Sequence, residues 1–318
     1  MRIRLFLALL LLPARMFAQE SVPIRGRIIN EQGEPVEYVH VGIPKLQLGT
    51  ISTADGHFEI TAPRDTLEFI HVSYQTGRHV VTGPDDDLVV VLHENELPPA
   101  VFIGGDTKEK YLLRPGTKIF GNGGVLVFEP KTGSTKGVEI GSVARTSKPF
   151  LVQDIQFGIW QNTIPDCVVS VNIYRIEGKD EEFVNVLQKP IYVNVSESEQ
   201  PQEFHIRPEE VILLEPGRYY ISFQIVDCNE KALEEYLKVP ESERDWSQMR
   251  LTTILYFKSS YTRKAVLGKM EHYPVNIGMV VKGLVYSSET SRYVKCAMTP
   301  AQRPATEWAP SALEMALR

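Results

Sequence analysis

The residues able to carry chemistry lie scattered along the chain. Seven histidines, at positions 40, 57, 71, 79, 93, 205 and 272, stand without metal-ligand spacing, and no HxH, HExxH or Cys/His pairing of the kind that holds zinc is present. Five of them precede residue 94, which invites a metal reading. His40 and His71 nevertheless sit inside strand-like alternations, where a solvent-face histidine is ordinary. There is no GxSxG elbow and no SxxK for a nucleophilic serine. Gly121-Asn122-Gly123-Gly124 lacks the Lys-Ser/Thr that completes a phosphate loop. Asp85-Asp86-Asp87 offers clustered carboxylates of the type calcium uses, but after Gly83-Pro84 it reads more simply as a solvated hairpin tip. No catalytic residue, metal or cofactor is assigned.

One feature points to binding. In the run Leu151 to Gln161, the apolar positions Leu151, Ile155, Phe157 and Ile159 are broken only by Gln153, and Asp154, Gln156 and Gly158 alternate with them. A period of two puts one face on a core and the other in water. Trp160 falls on the polar face with Asp154 and Gln156. An indole there can stack on a sugar ring while Asp154, Gln156 and Asn162 supply hydrogen bonds. Tyr174 and Tyr220 also lie opposite the apolar faces of their strands, so Trp160, Asp154, Gln156, Tyr174 and Tyr220 form the candidate ligand-binding set. The competing reading packs these aromatics under a loop or against a neighbouring domain.

The elements that would position them are strands. Val169, Val171 and Ile173 repeat the alternation, as do Tyr219, Ile221, Phe223 and Ile225 after the Pro216-Gly217 turn. Leu251 to Phe257 and Val275 to Tyr286 add more. Between these runs Glu230 to Leu237 has helical spacing and ends before Pro240, which predicts one short helix. Residues 134–298 are therefore expected to form a larger, jelly-roll-like antiparallel sandwich. A Gly-rich connector at 97–133, with a strand at Val125 to Phe128, precedes it. A flexible tail at 299–318 follows.

The chain upstream is also β. Ile24 to Ile29, Val36 to Ile43, Phe58 to Ile60, Leu67 to Val72 and Leu88 to Leu92 are short alternating runs cut by turn residues. The Asp55-Gly56 pair is read as a tight hairpin turn. Gly26-Arg27-Ile28-Ile29, Gly33-Glu34-Pro35-Val36, Val39-His40-Val41, Gly49-Thr50 and Thr53 to Ile60 fall in order, and residues 22–93 resemble the carboxypeptidase-like regulatory domain. That resemblance implies a transthyretin-like sandwich and an accessory module with no catalytic residues to carry over. In Bacteroidetes such a domain often precedes the plug of a TonB-dependent outer-membrane receptor. The roughly 220 residues that follow are too few for a plug and a barrel of about 22 strands. The fold class expected is all-β: two antiparallel sandwiches, at 19–96 and 134–298, with the boundary near Pro98-Pro99.

Residues 1–18 have the layout of a secretory signal peptide: Arg2 and Arg4, the apolar run Leu5 to Leu12, then Met16-Phe17-Ala18. Eight apolar residues cannot cross ~30 Å of hydrocarbon, so the mature chain is expected to be exported with no transmembrane span, periplasmic or at the cell surface. The net charge of −6 becomes −9 without Arg2, Arg4 and Arg15, which argues against nucleic acid. Cys167, Cys228 and Cys296 are too few for a disulfide scaffold. Cys167 and Cys228 could bridge if their strands are antiparallel neighbours. The function read from this is a non-catalytic exported module that binds an envelope protein or a glycan. The alternative is a glycan or peptide hydrolase with its site in the larger sandwich.

Overall fold

The computed structural model describes residues 21–95, 100–104, 107–114, 136–245, 247–256, 258–286 and 292–296. The expected signal peptide, the Val125 to Phe128 strand and the tail lie outside them.

Seven strands build the first sandwich: β1 (Ser21–Asn30), β2 (His40–Ile43), β3 (Leu48–Ile51), β4 (His57–Pro63), β5 (Thr66–His71), β6 (Tyr74–Val80) and β7 (Asp85–Leu92). One sheet has the order β4-β1-β7 and the other β3-β2-β5-β6. The pair β1–β7 runs parallel, and every other strand pair among the described residues is antiparallel. Strict alternation along β1 and β4 turns Ile24, Ile28, Phe58 and Ile60 inward. There they meet Val39, Val41, Leu67 and Phe69 in one apolar core. Phe58 and Phe69 pack edge to face with ring centroids 5.5 Å apart. The Asp55-Gly56 turn does not close a hairpin. Its flanking strands β3 and β4 belong to different sheets, so it carries the chain across the sandwich. Gly56 is needed there because its φ is +79° and a Cβ would stand 2.5 Å from the Ile28 carbonyl oxygen.

The chain continues through β8 (Ala100–Gly104) and β9 (Thr107–Leu113). Both fall inside the stretch expected as a connector, and β9 instead forms an edge of the larger sandwich. The larger unit comprises β10 (Glu139–Thr146), β11 (Phe150–Asn162), β12 (Cys167–Glu177), β13 (Glu182–Asn185), β14 (Ile191–Val195), β15 (Gln202–Ile206), β16 (Leu213–Leu214) and β17 (Gly217–Asp227). The helix α1 (Glu230–Lys238) follows, then β18 (Leu251–Thr253), β19 (Leu255–Tyr256), β20 (Ser260–Arg263), β21 (Glu271–Tyr273), β22 (Asn276–Ile277), β23 (Met279–Tyr286) and β24 (Arg292–Cys296). Asn229 caps α1 by accepting from the Ala232 N–H at 3.0 Å.

One sheet has the order β13-β12-β17-β10-β20-β21, with β14 also on β12. The facing sheet has the order β15-β11-β23-β9, with β16 and β18 on β11. Val169, Val171, Ile173, Ile221 and Phe223 from the first meet Ile155, Phe157 and Ile159 from the second across the core. The Phe157 and Phe223 rings stack at 5.4 Å. β8 and β24 pair with each other as a separate two-stranded ribbon.

The first sandwich rests on the outer face of the seven-stranded sheet. Tyr38 and Ile51 join Val226 and Val266 in a small apolar cluster, flanked by Tyr192 and Leu267. Tyr38 meets Tyr192 edge to face at 4.7 Å. His71 Nε2 lies 3.3 Å from the Tyr192 hydroxyl, and the Ser73 hydroxyl donates to the Gln188 carbonyl at 3.0 Å. Gly42 and Gly49 allow this approach, because Cβ atoms there would lie 3.0 and 3.1 Å from Leu267.

Candidate functional site

Where the two sandwiches meet, a groove of about 1310 Å³ opens. One wall comes from the first sandwich: Pro35 and Glu37 in the β1–β2 loop, Tyr74 and Gln75 at the start of β6, and Glu94 and Asn95 after β7. The other comes from Leu187 to Tyr192, the β13–β14 loop and the start of β14, and from Ile206 to Glu210 at and after the end of β15. Three prolines, at 35, 190 and 208, stiffen the rim. Lys189, Arg207 and Glu209 are exposed on it.

Glu210 organises the second wall. Its Oε1 accepts the backbone N–H of Gln188 at 3.1 Å and of Lys189 at 3.3 Å, which fixes the β13–β14 loop against the segment after β15. Its Oε2 is buried and has no hydrogen-bond donor among the described residues. A buried carboxylate oxygen without a donor is costly, on the order of 1–3 kcal/mol or more, and this one is sealed from solvent and so from a ligand in the groove. Glu37 stands at the opposite wall, and partial desolvation pushes its carboxyl upward from the ordinary glutamate value. Tyr192 is half-buried, and desolvation followed by the nearby Glu37 charge drives its hydroxyl well above the usual tyrosine range.

The residues singled out from the sequence are not brought together. Trp160, Asp154 and Gln156 lie half-buried on the outer face of the six-stranded sheet, with the Gln156 amide donating to Asp154. Tyr174 and Tyr220 belong to β12 and β17 in the opposite sheet, so their outward faces point the other way. Nor do they meet solvent. Tyr174 is 7% exposed and Tyr220 fully buried, stacked at 6.1 Å beneath Phe183, Tyr261 and Met270. The Tyr220 hydroxyl donates to the Tyr261 carbonyl at 2.8 Å. Alternation had placed both tyrosines opposite the main core, but a second layer of side chains covers that face as well. Asn162 is likewise unavailable: it is fully buried and donates to the carbonyls of Ile164 and Val195.

The histidines separate by location. His57 pairs with Asp55 and His93 with Glu31 on the surface of the first sandwich. His40 and His71 stand between the sandwiches. Asp85 to Asp87 open β7 rather than a hairpin tip, and Asp86 pairs with Arg25 at 3.3 Å. Among the described residues no group of three or more His, Cys, Asp or Glu side chains is placed to hold a metal ion.

Sequence reasoning missed Glu139. It is fully buried on the outer face of β10, where Oε1 accepts from the Ser222 hydroxyl at 2.6 Å and the Asn172 amide at 3.3 Å. Oε2 lies 3.5 Å from Arg263 Nε. It also missed the groove, whose lining residues come from six segments that are remote in sequence.

Residues 24–98 match the family model of the CarboxypepD_reg-like domain. The matched stretch coincides with the first sandwich and with the Gly-Pro and Asp-Gly motifs that resemble that family. No curated protein matches the chain. Among solved structures, a DUF3823 family protein from Bacteroides ovatus is 11% identical, over 65% of this chain and 97% of that one, with a TM-score of 0.19. A DUF3823 family protein from Parabacteroides merdae is 10% identical, over 81% of this chain and 98% of that one, also with a TM-score of 0.19. Scores of that size carry no argument about function.

Proposed function

We propose that the protein is a non-catalytic, exported accessory module whose groove between the sandwiches binds an extended segment of an envelope protein. The groove itself carries the reading: about 1310 Å³ opens between walls from both sandwiches, with Pro35 and Tyr74 on one side and Pro190 and Pro208 on the other. Tyr74 with the rim prolines offers apolar surface to such a segment, and Glu37, Glu94, Lys189 and Arg207 offer polar contacts beside it. The same polar residues suit sugar hydroxyls, so a glycan is the second ligand class. In this reading residues 1–18 direct export and are removed, 19–96 are the regulatory-like sandwich, 97–133 connect it to the larger sandwich and supply that sandwich's edge strand β9, and 134–298 form the rest of the larger sandwich, which shares the groove with the first. Support for the accessory role is the match of residues 24–98 to a regulatory-like domain family. No helix among the described residues is long and apolar enough to cross a membrane.

The test uses the mature chain on a peptide array of envelope proteins and on a glycan array. A Lys189→Glu, Arg207→Glu variant reverses two exposed charges on one groove wall. The proposal expects selective retention by wild type, reduced at least tenfold in the variant with the unfolding midpoint unchanged. Retention that survives this variant and is lost in Trp160→Ala would place the site on the face of Trp160, Asp154 and Gln156 instead. Turnover of a glycan or peptide by the purified chain would replace the binding reading with the hydrolase one.

A further inference from the structure

We propose that Cys167 and Cys228 form a cross-strand disulfide that clasps the start of β12 to the end of β17. The ladder ends with Val168 opposite Asp227, and Cys167 and Cys228 are the next residues along the two segments. Both side chains are buried, 2% and 4% exposed, in the same core cluster, so both point to the same side of the sheet. Their backbones do not exchange hydrogen bonds with each other. The Cys228 N–H is taken by Asp227 Oδ1 at 2.9 Å, and the next N–H, from Asn229, reaches past to the Pro165 carbonyl at 2.9 Å. Residues flanking a paired position on neighbouring strands, with side chains in one core, come within reach of the ~4.4–6.8 Å Cα separation that a disulfide spans. In the structure both are thiols.

The bridge closes by thiol–disulfide exchange with an external disulfide, that of an oxidoreductase or of oxidised glutathione. The thiolate of one cysteine attacks that disulfide, forms a mixed disulfide and releases one external thiolate. The second cysteine then attacks the mixed disulfide, the Cys167–Cys228 bond forms, and the other external thiolate leaves. The two cysteines lose two protons and two electrons, and the external disulfide becomes two thiols. Burial pushes both thiols up, Cys228 to about 11, so at neutral pH neither is an available thiolate in the closed sheet. Closure therefore belongs to folding, before the core seals. It depends on the β12–β17 register and not on what the groove binds. Cys296 lies on the separate β8–β24 ribbon, opposite Ala100.

The experiment unfolds and reduces the full chain, refolds it in a glutathione redox buffer, and alkylates it under denaturing, non-reducing conditions. Peptide mapping is expected to show one alkylated cysteine per chain, Cys296, and a peptide linking Cys167 to Cys228. Reduction is expected to lower the unfolding midpoint by roughly 5–10 °C, and a Cys167→Ala, Cys228→Ala variant to show no response to reductant. Three alkylated cysteines after refolding, or a link from either residue to Cys296, would overturn the proposal. If the double variant does not fold, the mapping of the unmodified sequence decides alone.

Discussion

Glu139 carries the largest single-residue consequence. It and Arg263 form a buried ion pair beside Asn172, Tyr174 and Ser222, and removing one partner strands the other charge in a dry site. Glu139→Ala is expected to cost about 3–5 kcal/mol in urea unfolding, and a Glu139→Leu, Arg263→Met double variant to recover most of it. His40 and His71 make the second. Burial, then Arg263 and His71, lowers His40 to about 3; burial lowers His71 to about 4. Gln224 hydrogen-bonds His40 and Tyr192 faces His71. Both folded values lie below the unfolded value near 6.5, so the unfolded chain binds more protons between them. Their contribution is fully present above pH ~6.5 and falls as pH drops toward 4, by about 1 kcal/mol per unit for each group. Unfolding midpoints measured from pH 7 to pH 5, above the carboxylate range, should fall for wild type and fall less for His40→Gln. None of these roles was legible in the sequence. A lone glutamate in Val138-Glu139-Ile140, or a tyrosine opposite an apolar face, reads as solvent-facing until the layer covering it is known.

At the scale of elements, much more was readable, because alternation and capping are local. The short helix predicted at Glu230 to Leu237 is α1, and Asn229→Ala is expected to cost about 1 kcal/mol in chemical denaturation, with Asn229→Asp restoring most of it. The runs around Val169 and Ile221 are β12 and β17. Gln153, the one polar residue that interrupted the apolar face of β11, marks the register shift between Val152 and Asp154. Upstream of it Phe150 and Val152 face inward, and downstream Ile155, Phe157 and Ile159 do. β6 was missed, because Gln75, Thr76 and Arg78 give it no apolar stripe. The Asp55-Gly56 turn was seen, but local chemistry cannot say whether a turn closes a hairpin or crosses between sheets. Gly56→Ala should destabilise by more than about 1 kcal/mol, since it meets both a positive φ and the Ile28 carbonyl.

At the scale of the molecule, two sandwiches pack through Tyr38, Ile51, Tyr192, Val226 and Val266, and the groove exists only because they do. Neither the interface nor the groove was legible: the contacts join residues more than a hundred positions apart, and no pattern of period two records what lies across an outer face. The regulatory-like sandwich was legible because its turn glycines and Pro35 are fixed by backbone geometry. The groove requires a fixed docking of one sandwich on the other. Its most direct test is a pulsed electron–electron distance measurement between spin labels carried by unnatural residues at Thr76 and Glu209, both exposed beside opposite walls of the groove. One narrow distance population is predicted. A broad distribution, with the sandwiches moving independently, would mean that no such groove persists in solution.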